Sequence, residues 1–185
     1  ERAILQRLRL FPMPEEEQKL WELDIRMNAF GVRVDNDFIE GALYIGGISR
    51  ERLLREAMEI TGLENPNSTQ QLMKWLEEND VQTDNLRKTT VVELLEGQNP
   101  ADVQRMLEIR QQLGKTSVKK YAAMEAARGE GDRVRGLTQY YGANRTGRWA
   151  GRLVQLQNLP RNYIKTLDYA RETVKKKNFD GLQLL

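Results

Sequence analysis

The segment from residue 145 to residue 162 holds the side chains with the clearest chemistry in this chain. It contains no acidic residue, and it combines guanidinium groups with carboxamides at Arg145, Arg148, Arg152, Arg161, Gln155, Gln157 and Asn158. Arginine presents a rigid fork of donors suited to phosphate oxygens or base edges, whereas carboxamides both donate and accept hydrogen bonds. A basic run taken alone is usually a solvated loop. This mixture of groups, however, favours an acidic partner, and a nucleic acid groove fits it.

The order of these residues resembles a segment of a known family. Thr146-Gly147-Arg148 is followed, after six residues, by the run Gln155-Leu156-Gln157-Asn158-Leu159-Pro160. This pattern resembles the TGR…NLQNIP segment of family A DNA polymerases, the group of bacterial DNA polymerase I and many bacteriophage replicative enzymes. The departures at Trp149-Ala150-Gly151-Arg152 and at Gln155 match a bacteriophage-like branch better than the bacterial repair enzyme.

The resemblance implies a role for the polar side chains of this segment. Arg148 would enter the minor groove at the primer terminus. Every correct base pair offers acceptors at similar positions there, so one arginine can check geometry without reading sequence. The resemblance implies further DNA contacts at Gln155, Gln157, Asn158, Arg145 and Arg161.

Two earlier stretches resemble the thumb of the same family. The run NPNSTQQLMKWLEE, which begins at Asn65, looks like the element at the thumb tip, and this implies that Asn65 and Ser68 touch the DNA backbone. Both could instead be turn residues that only cap a helix, and the two roles can coexist. The run IRQQLGKTSVKKY is similar to the helix by which the thumb packs along the duplex. It implies contacts of Arg110, Lys115 and Ser117 with primer phosphates.

The spacing of apolar residues predicts the helices that must position these stretches. The first predicted helix covers the opening residues and ends at residues 11–14, and the next two cover residues 15–30 and 38–60. A helix follows Ser68, a short helix precedes Gly97, one long helix covers residues 103–124, and the last covers residues 164–174. The expected N-caps are Asn36 or Asp37, Asn67 or Ser68, and Thr89 or Thr90. Residues 32–34 and 134–141 have strand character. Glycines in the arginine segment predict an irregular backbone there that can approach a ligand closely.

Composition excludes several classes of function. The 185 residues include no Cys and no His, so the chain has no thiolate nucleophile, no cysteine-based metal site and no histidine general base, which excludes most hydrolase mechanisms. Hydrophobic residues at 39% and charged residues at 30% are typical of a soluble globular protein. No apolar run approaches the roughly 20 residues of a membrane span and no signal peptide opens the chain, so we expect a cytoplasmic protein with no membrane partner.

The charge of the chain is divided unevenly along its length. Residues 1–100 carry 12 Lys and Arg against 19 Asp and Glu, whereas residues 101–185 carry 17 against 8. The second half therefore carries the anion-binding surface. Such asymmetry points to nucleic acid or another acidic partner.

The predicted fold class is mainly α, with a helical thumb-like subdomain and a few short strands from the palm. The predicted boundaries are 1–35 for a linker helix and palm-entry segment, 36–130 for the helical thumb, and 131–185 for the start of the palm. The run LDIRMNAFGVRVD, within the first of these regions, resembles the start of the polymerase region in family A enzymes.

The resemblance implies that the chain is a fragment of a DNA-directed DNA polymerase, a nucleotidyltransferase whose partners are primer-template DNA and the remaining palm and fingers. Such enzymes use two divalent metals held by palm carboxylates, so Mg²⁺ is expected for the parent protein. Asp168 and Asp180 match no family motif, so no catalytic or metal-binding residue is expected in the fragment, which should be inactive alone. Two alternatives stay open: a free-standing helical nucleic-acid-binding module, and a helical protein-interaction adaptor whose basic half meets an acidic protein.

Overall fold

The computed structural model describes residues 2–115, 117–159 and 162–184. Within these ranges the fold is mainly α, which confirms the predicted fold class. The helices are α1 (Arg2–Leu8), α2 (Glu15–Phe30), α3 (Asn36–Thr61), α4 (Thr69–Glu78), α5 (Lys88–Leu95), α6 (Ala101–Leu113), α7 (Ser117–Ala127), α8 (Leu167–Lys175) and α9 (Phe179–Gln183). The strands are β1 (Val32–Arg33), β2 (Arg128–Gly129), β3 (Arg133–Val134), β4 (Thr138–Ala143) and β5 (Arg148–Gly151).

The chain divides into two compact units. The first unit comprises Glu1–Ile39 and Ala122–Leu167, and the second comprises Glu40–Tyr121 and Asp168–Leu185. Each unit has its own buried apolar cluster. The thumb and palm boundaries expected from the sequence stay predictions, because a division by contacts does not identify subdomains.

The second unit is built around a large apolar core. Residues on α4 and α6 are completely inaccessible to solvent, at Leu72, Leu76, Val103, Met106, Leu107 and Ile109. Ala57 of α3 and Val91 of α5 belong to the same cluster. The helical spacing of these residues explains why α4 and α6 form, since each helix turns one apolar stripe inward.

The first unit contains two small antiparallel sheets and a smaller core. In the sheet ordered β1-β3-β2, Val32 and Arg128 both lie opposite Val134. The other sheet is the hairpin of β4 and β5. The buried cluster of the first unit consists of Val134, Leu137 and Val154, with partly buried side chains packed around it.

Two of the expected helix caps are wrong. Helix α3 begins at Asn36, and Asp35 caps it, since the Phe38 amide donates to the Asp35 carboxylate at 3.1 Å. The Asn36 side chain instead donates to Asp132. Helix α5 begins at Lys88, so Thr89 and Thr90 lie inside its first turn. Ser68, by contrast, is at the N-cap position of α4, although its side chain makes no capping hydrogen bond.

The long helix expected over residues 103–124 is interrupted. Helix α6 ends at Leu113, where the Gly114 amide donates to the Arg110 carbonyl at 3.0 Å and the Lys115 amide to the Gln112 carbonyl at 3.1 Å. Helix α7 then begins at Ser117. Glycine has low helix propensity and serine favours helix starts, so the local sequence overrides the continuous apolar pattern.

The arginine segment and the last predicted helix also differ from expectation. Residues Arg148–Gly151 form the strand β5 rather than irregular backbone. Ile164, expected inside the following helix, precedes α8, which begins at Leu167. None of the helices in the described ranges is both long and apolar enough to cross a lipid bilayer.

Candidate nucleic-acid interface

Helix α2 holds the start of β4 through polar side chains. Asp24 and Asn28 are four residues apart and therefore lie on one face of the helix. The Asn28 amide nitrogen donates to the Thr138 carbonyl at 2.9 Å, and the Thr138 amide donates to the Asn28 side-chain oxygen at 3.0 Å. The Thr138 hydroxyl donates to Asp24 at 2.6 Å, and Asp24 is only 8% exposed. These bonds fix the first residue of β4 against α2.

Two arginines next to β4 stabilise the C-terminus of α2. The Arg133 guanidinium donates to the Gly31 carbonyl at 2.9 Å and lies over the Phe30 ring, 3.9 Å from its centroid. Arg135 donates to the Ala29 carbonyl at 2.9 Å. Positive charge is favourable at the negative end of a helix. These two arginines therefore have structural partners within the first unit.

The β4–β5 hairpin presents Arg148 of the TGR sequence and Arg145, which directly precedes that sequence. Ala143 lies opposite Arg148, and the Thr146 and Gly147 amides donate to the Ala143 carbonyl at 3.0 and 2.9 Å. Gly147 adopts a φ of 65°, a conformation that favours glycine. Arg145 lies in this turn, and both arginines are exposed.

The chain after β5 folds into a tight turn that carries three carboxamides. Its start is tied down because the Arg152 amide donates to the Leu137 carbonyl at 2.8 Å. Gln155 then takes a φ of 51°, and a short 3-10 helix spans Leu156–Asn158. The Asn158 side chain donates to the Gln155 side-chain oxygen at 3.1 Å, which brings two of the predicted site residues together.

Gln157 lies against β5 itself. A Cβ added at Gly151 would overlap the side-chain amide of Gln157. Glycine at this position therefore permits a close approach that any larger residue would prevent. Because Gly151 has no side chain, β5 and the turn at Leu156–Asn158 can pack together, with the Gln157 amide directly against Gly151.

The first unit thus brings most of its predicted site residues onto one hairpin and the turn that follows it. Arg145, Arg148 and Arg152 are exposed, and no acidic side chain within the described ranges forms an ion pair with them. Arg161 lies outside the described residues. An exposed group of unpaired guanidinium groups beside carboxamides is suited to a polyanion.

The second unit brings three other predicted residues together. The Arg110 guanidinium donates to the Asn67 side-chain oxygen at 2.8 Å and to the Asn67 carbonyl at 3.1 Å. Asn67 belongs to a turn in which the Ser68 amide donates to the Asn65 carbonyl at 3.0 Å. Arg110 therefore stabilises the turn that carries Asn65 and Ser68. This structural role was not predicted from the sequence.

Lys115 and Ser117 flank the interruption between α6 and α7. Lys115 is exposed just beyond the C-terminus of α6. Ser117 is the first residue of α7, and its side chain lies outside the described part of the structure. The two residues are therefore close in sequence at a helix junction, and their proposed contacts with phosphates stay predictions.

A second arginine of α6 has a clear electrostatic partner. Arg105 donates to both oxygens of Glu56 on α3, at 2.6 and 2.9 Å, and to Glu108 at 2.9 Å. The hydrogen bond from Arg105 lowers the pKa of Glu56 below its ordinary value, and the same bonds raise the pKa of Arg105. Arg105 is thus occupied in joining α3 to α6.

Sequence reasoning missed the residues that position the hairpin. Asp24, Asn28 and Thr138 were not among the candidates, and Asp24 and Asn28 do not stand out from the other polar residues of α2. Thr138, the partner of Asp24 and Asn28, is 110 residues away from Asn28 in the sequence. Nothing in the local sequence of either element identifies that pairing.

The described residues contain no group of three or more acidic, histidine or cysteine side chains that could hold a metal ion. Asp168 pairs with Arg171 at 3.3 Å, and Asp180 with Arg52 at 3.7 Å.

Together, the fold and the exposed basic hairpin define a mainly helical protein with a surface suited to a polyanion. Over all 185 residues the chain is 50% identical to a protein named DNA polymerase from Bacillus phage SP02. The chain spans 28% of the length of that relative. No protein-family model matches the chain, and no solved structure shows significant similarity to it.

Proposed function

We propose that this chain is the part of a bacteriophage-type family A DNA polymerase that grips the primer-template duplex. The observation that carries the proposal is the 50% identity, over all 185 residues of this chain, to a phage DNA polymerase, in a chain whose TGR sequence and Gln155, Gln157 and Asn158 lie on one exposed hairpin and the turn after it. In the proposal the second unit contributes the helical thumb. The first unit contributes the palm-entry segment and the start of the palm.

The proposal assigns the hairpin to the minor groove. Arg148 is exposed at the start of β5, and the strand pairing and the turn behind it hold its backbone in place. A rigid backbone lets one guanidinium test whether the terminal base pair presents its acceptors correctly. The neighbouring contacts in this proposal come from Gln155, Gln157, Asn158, Arg145 and Arg161.

The proposal assigns the second unit to the sugar-phosphate backbone. Asn65 and Ser68 lie in the turn before α4, and the Ser68 side chain makes no capping bond within that helix. Arg110 holds this turn through Asn67, so its loss would act on DNA partly by displacing Asn65 and Ser68. Lys115 and Ser117 complete the proposed phosphate contacts at the α6–α7 junction.

The chemistry of nucleotide transfer belongs, in this proposal, to other parts of the complete protein. There Mg²⁺ would stabilise the charge that develops on the transferred phosphoryl group. The residues of this chain bind and orient the duplex. The isolated chain is accordingly expected to show no primer extension with magnesium, and measurable extension by the pure chain would contradict the assignment.

The direct test is a DNA-binding titration at several salt concentrations. Arg and Lys side chains supply the ionic part of the proposed contacts, so affinity for duplex DNA should fall markedly as salt rises and depend little on sequence. Fluorescence anisotropy with a labelled primer-template measures this, and a duplex of scrambled sequence is the control. Affinity that does not change between low and moderate salt would favour an adaptor for an acidic protein instead.

A further inference from the structure

The β4–β5 hairpin carries an aromatic cluster beside its arginines. The ring centroids of Tyr140 and Trp149 lie 6.2 Å apart in an edge-to-face arrangement, and those of Tyr140 and Tyr141 lie 6.0 Å apart. Tyr140 is half-buried, whereas Trp149 is 43% exposed and Tyr141 is 52% exposed. The cluster therefore has a supporting ring on the inside and two rings that face solvent.

An irregularity of the hairpin creates this cluster. Gln139 pairs with Ala150 and Ala143 pairs with Arg148, so the three residues Tyr140 to Gly142 lie opposite the single residue Trp149. A bulge of this kind bends the strand and redirects side chains. Within this bulge the Tyr140 ring contacts the Trp149 ring on the opposite strand and the Tyr141 ring beside it.

The conformation of Tyr141 is unusual for its residue type. Its φ is 54°, in the left-handed region that bulky side chains rarely adopt. Its ring lies across the turn, where a Cβ on Gly147 would come within 2.9 Å of the ring. Such strain persists only where the surrounding structure imposes it, and it is concentrated at functional sites.

The charges around the cluster indicate what it binds. Arg148 directly precedes Trp149, Arg145 lies in the same turn, and neither has an acidic partner among the described residues. Aromatic rings interleaved with free cations are the combination by which proteins bind nucleic acid without reading its sequence, since every base has a face that can stack.

We propose that Tyr141 and Trp149 form a stacking platform for a nucleobase of the bound DNA, with Arg145 and Arg148 attracting the phosphates beside it. This inference rests on the proposed function, because the ligand is DNA. It adds to that function a contact with a base face, which is distinct from hydrogen bonds in the minor groove and from ionic contacts with phosphate. The base is either the last one of the duplex or an unpaired one next to it.

The test uses the complete protein and the variants Trp149→Leu, Trp149→Phe and Trp21→Leu. Trp21 is a matched control, since it is 44% exposed and lies on α2 rather than on the hairpin. The probes are a blunt duplex and a recessed primer-template, with 2-aminopurine at the terminal pair or at the first unpaired template position. Affinity is measured over a range of salt concentrations, and probe fluorescence reports stacking.

Trp149→Leu should weaken binding by about 5-fold or more, since a base–aromatic stack contributes roughly that much or more. The slope of log affinity against log salt should not change, because no cation is removed. Trp149→Phe should restore most of the affinity, and Trp21→Leu should have no effect. The probe whose quenching depends on Trp149 identifies the stacked base as terminal or unpaired.

Several results would overturn the platform. Unchanged affinity and quenching in Trp149→Leu would mean that the rings are covered by another part of the protein. A loss that Trp149→Phe does not restore, accompanied by a lower melting temperature, would make Trp149 a folding residue only. If the wild-type protein binds DNA and Arg148→Ala weakens binding but Trp149→Leu does not, only this inference is rejected. If the wild-type protein does not bind DNA, the proposed function is rejected as well.

Discussion

The two units of this protein are stabilised by different kinds of contact. In the second unit, long apolar side chains on α4 and α6 are fully buried and form a continuous core with α3 and α5. In the first unit the buried cluster has three members, and α2 contacts β4 through Asp24, Asn28 and Thr138. Apolar burial is non-directional, whereas hydrogen bonds fix orientation. The comparison indicates that the second unit supplies stability and that the first supplies a defined placement of the arginine hairpin.

The largest effect is expected from a core substitution in the second unit. Leu107 is completely buried, so Leu107→Ala should lower the free energy of unfolding by about 2–5 kcal/mol through lost burial and a residual cavity. Urea unfolding followed by circular dichroism measures this. Leu153→Ala is the control in the first unit, because Leu153 is 59% exposed and its loss should cost little. Similar losses in the two variants would mean that a leucine in the core of the second unit contributes no more than an exposed leucine of the first unit.

The next largest effect is expected at Arg148, and it concerns activity rather than stability. If Arg148 makes a directed, partly desolvated hydrogen bond in the minor groove, Arg148→Ala should lose about 1–3 kcal/mol, which is roughly a 5-fold to 150-fold slower extension by the complete polymerase. The loss should be most severe after a mismatched terminus.

Arg152→Ala is the matched control for that measurement. Arg152 is an exposed arginine of the same segment, and an exposed charge acts through screened attraction that neighbouring charges can replace. Extension rates on matched and mismatched primers should separate the two variants. Equal, small losses in both variants would mean that the hairpin acts as a general basic patch, in which Arg148 has no specific role.

A smaller effect on stability is expected at the contact between α2 and β4. Thr138→Val keeps the shape of the side chain but leaves the buried Asp24 carboxylate without its 2.6 Å donor, so it should cost about 1–3 kcal/mol of unfolding free energy. Thr138→Ser retains the hydroxyl and should recover most of the loss. If valine and serine behave alike in thermal unfolding, the hydroxyl contributes nothing and the backbone bonds to Asn28 are sufficient.

Local patterns in the sequence predicted most of the helices, because helix formation depends on neighbouring residues. The start of α2 in the run Glu15–Glu17 and its end before Gly31 are confirmed. The expected caps of α3 and α5, the continuity across Gly114 and the start of α8 were wrong, because single residues decide where a helix begins and ends. The types of the site residues were equally readable, since four arginines and four carboxamides occur within residues 145–162.

Long-range pairing could not be predicted in this way. The apolar residues that identify α2 as a helix are exposed in the structure, among them Leu20, Trp21, Leu23, Ile25, Met27 and Phe30, and Asp24 is its one buried residue. The bulge that gathers Tyr140, Tyr141 and Trp149 depends on strand register, which periodicity does not give. The sequence therefore identified the candidate DNA-contacting residues but not the residues that position them.

The smallest effect is expected from the ion pair between Glu56 and Arg105, which tests whether electrostatics adds to the apolar core of the second unit. Because Arg105 lowers the pKa of Glu56, the pair stabilises the folded state when Glu56 is ionised, above its ordinary value of 4.5, and this contribution is lost as pH falls through the lower folded-state pKa. Both side chains are more than a third exposed, at 38% and 39%, so solvent screening limits the contribution to less than about 1 kcal/mol. Glu56→Gln should therefore melt slightly below wild type at pH 7, and the difference should vanish at an acidic pH below the lowered folded-state pKa of Glu56. Glu15→Gln, in a pair whose side chains are 81% and 67% exposed, is the control and should not change melting at either pH. A Glu56→Gln difference that persists at low pH would show that the glutamate acts through packing rather than through its charge.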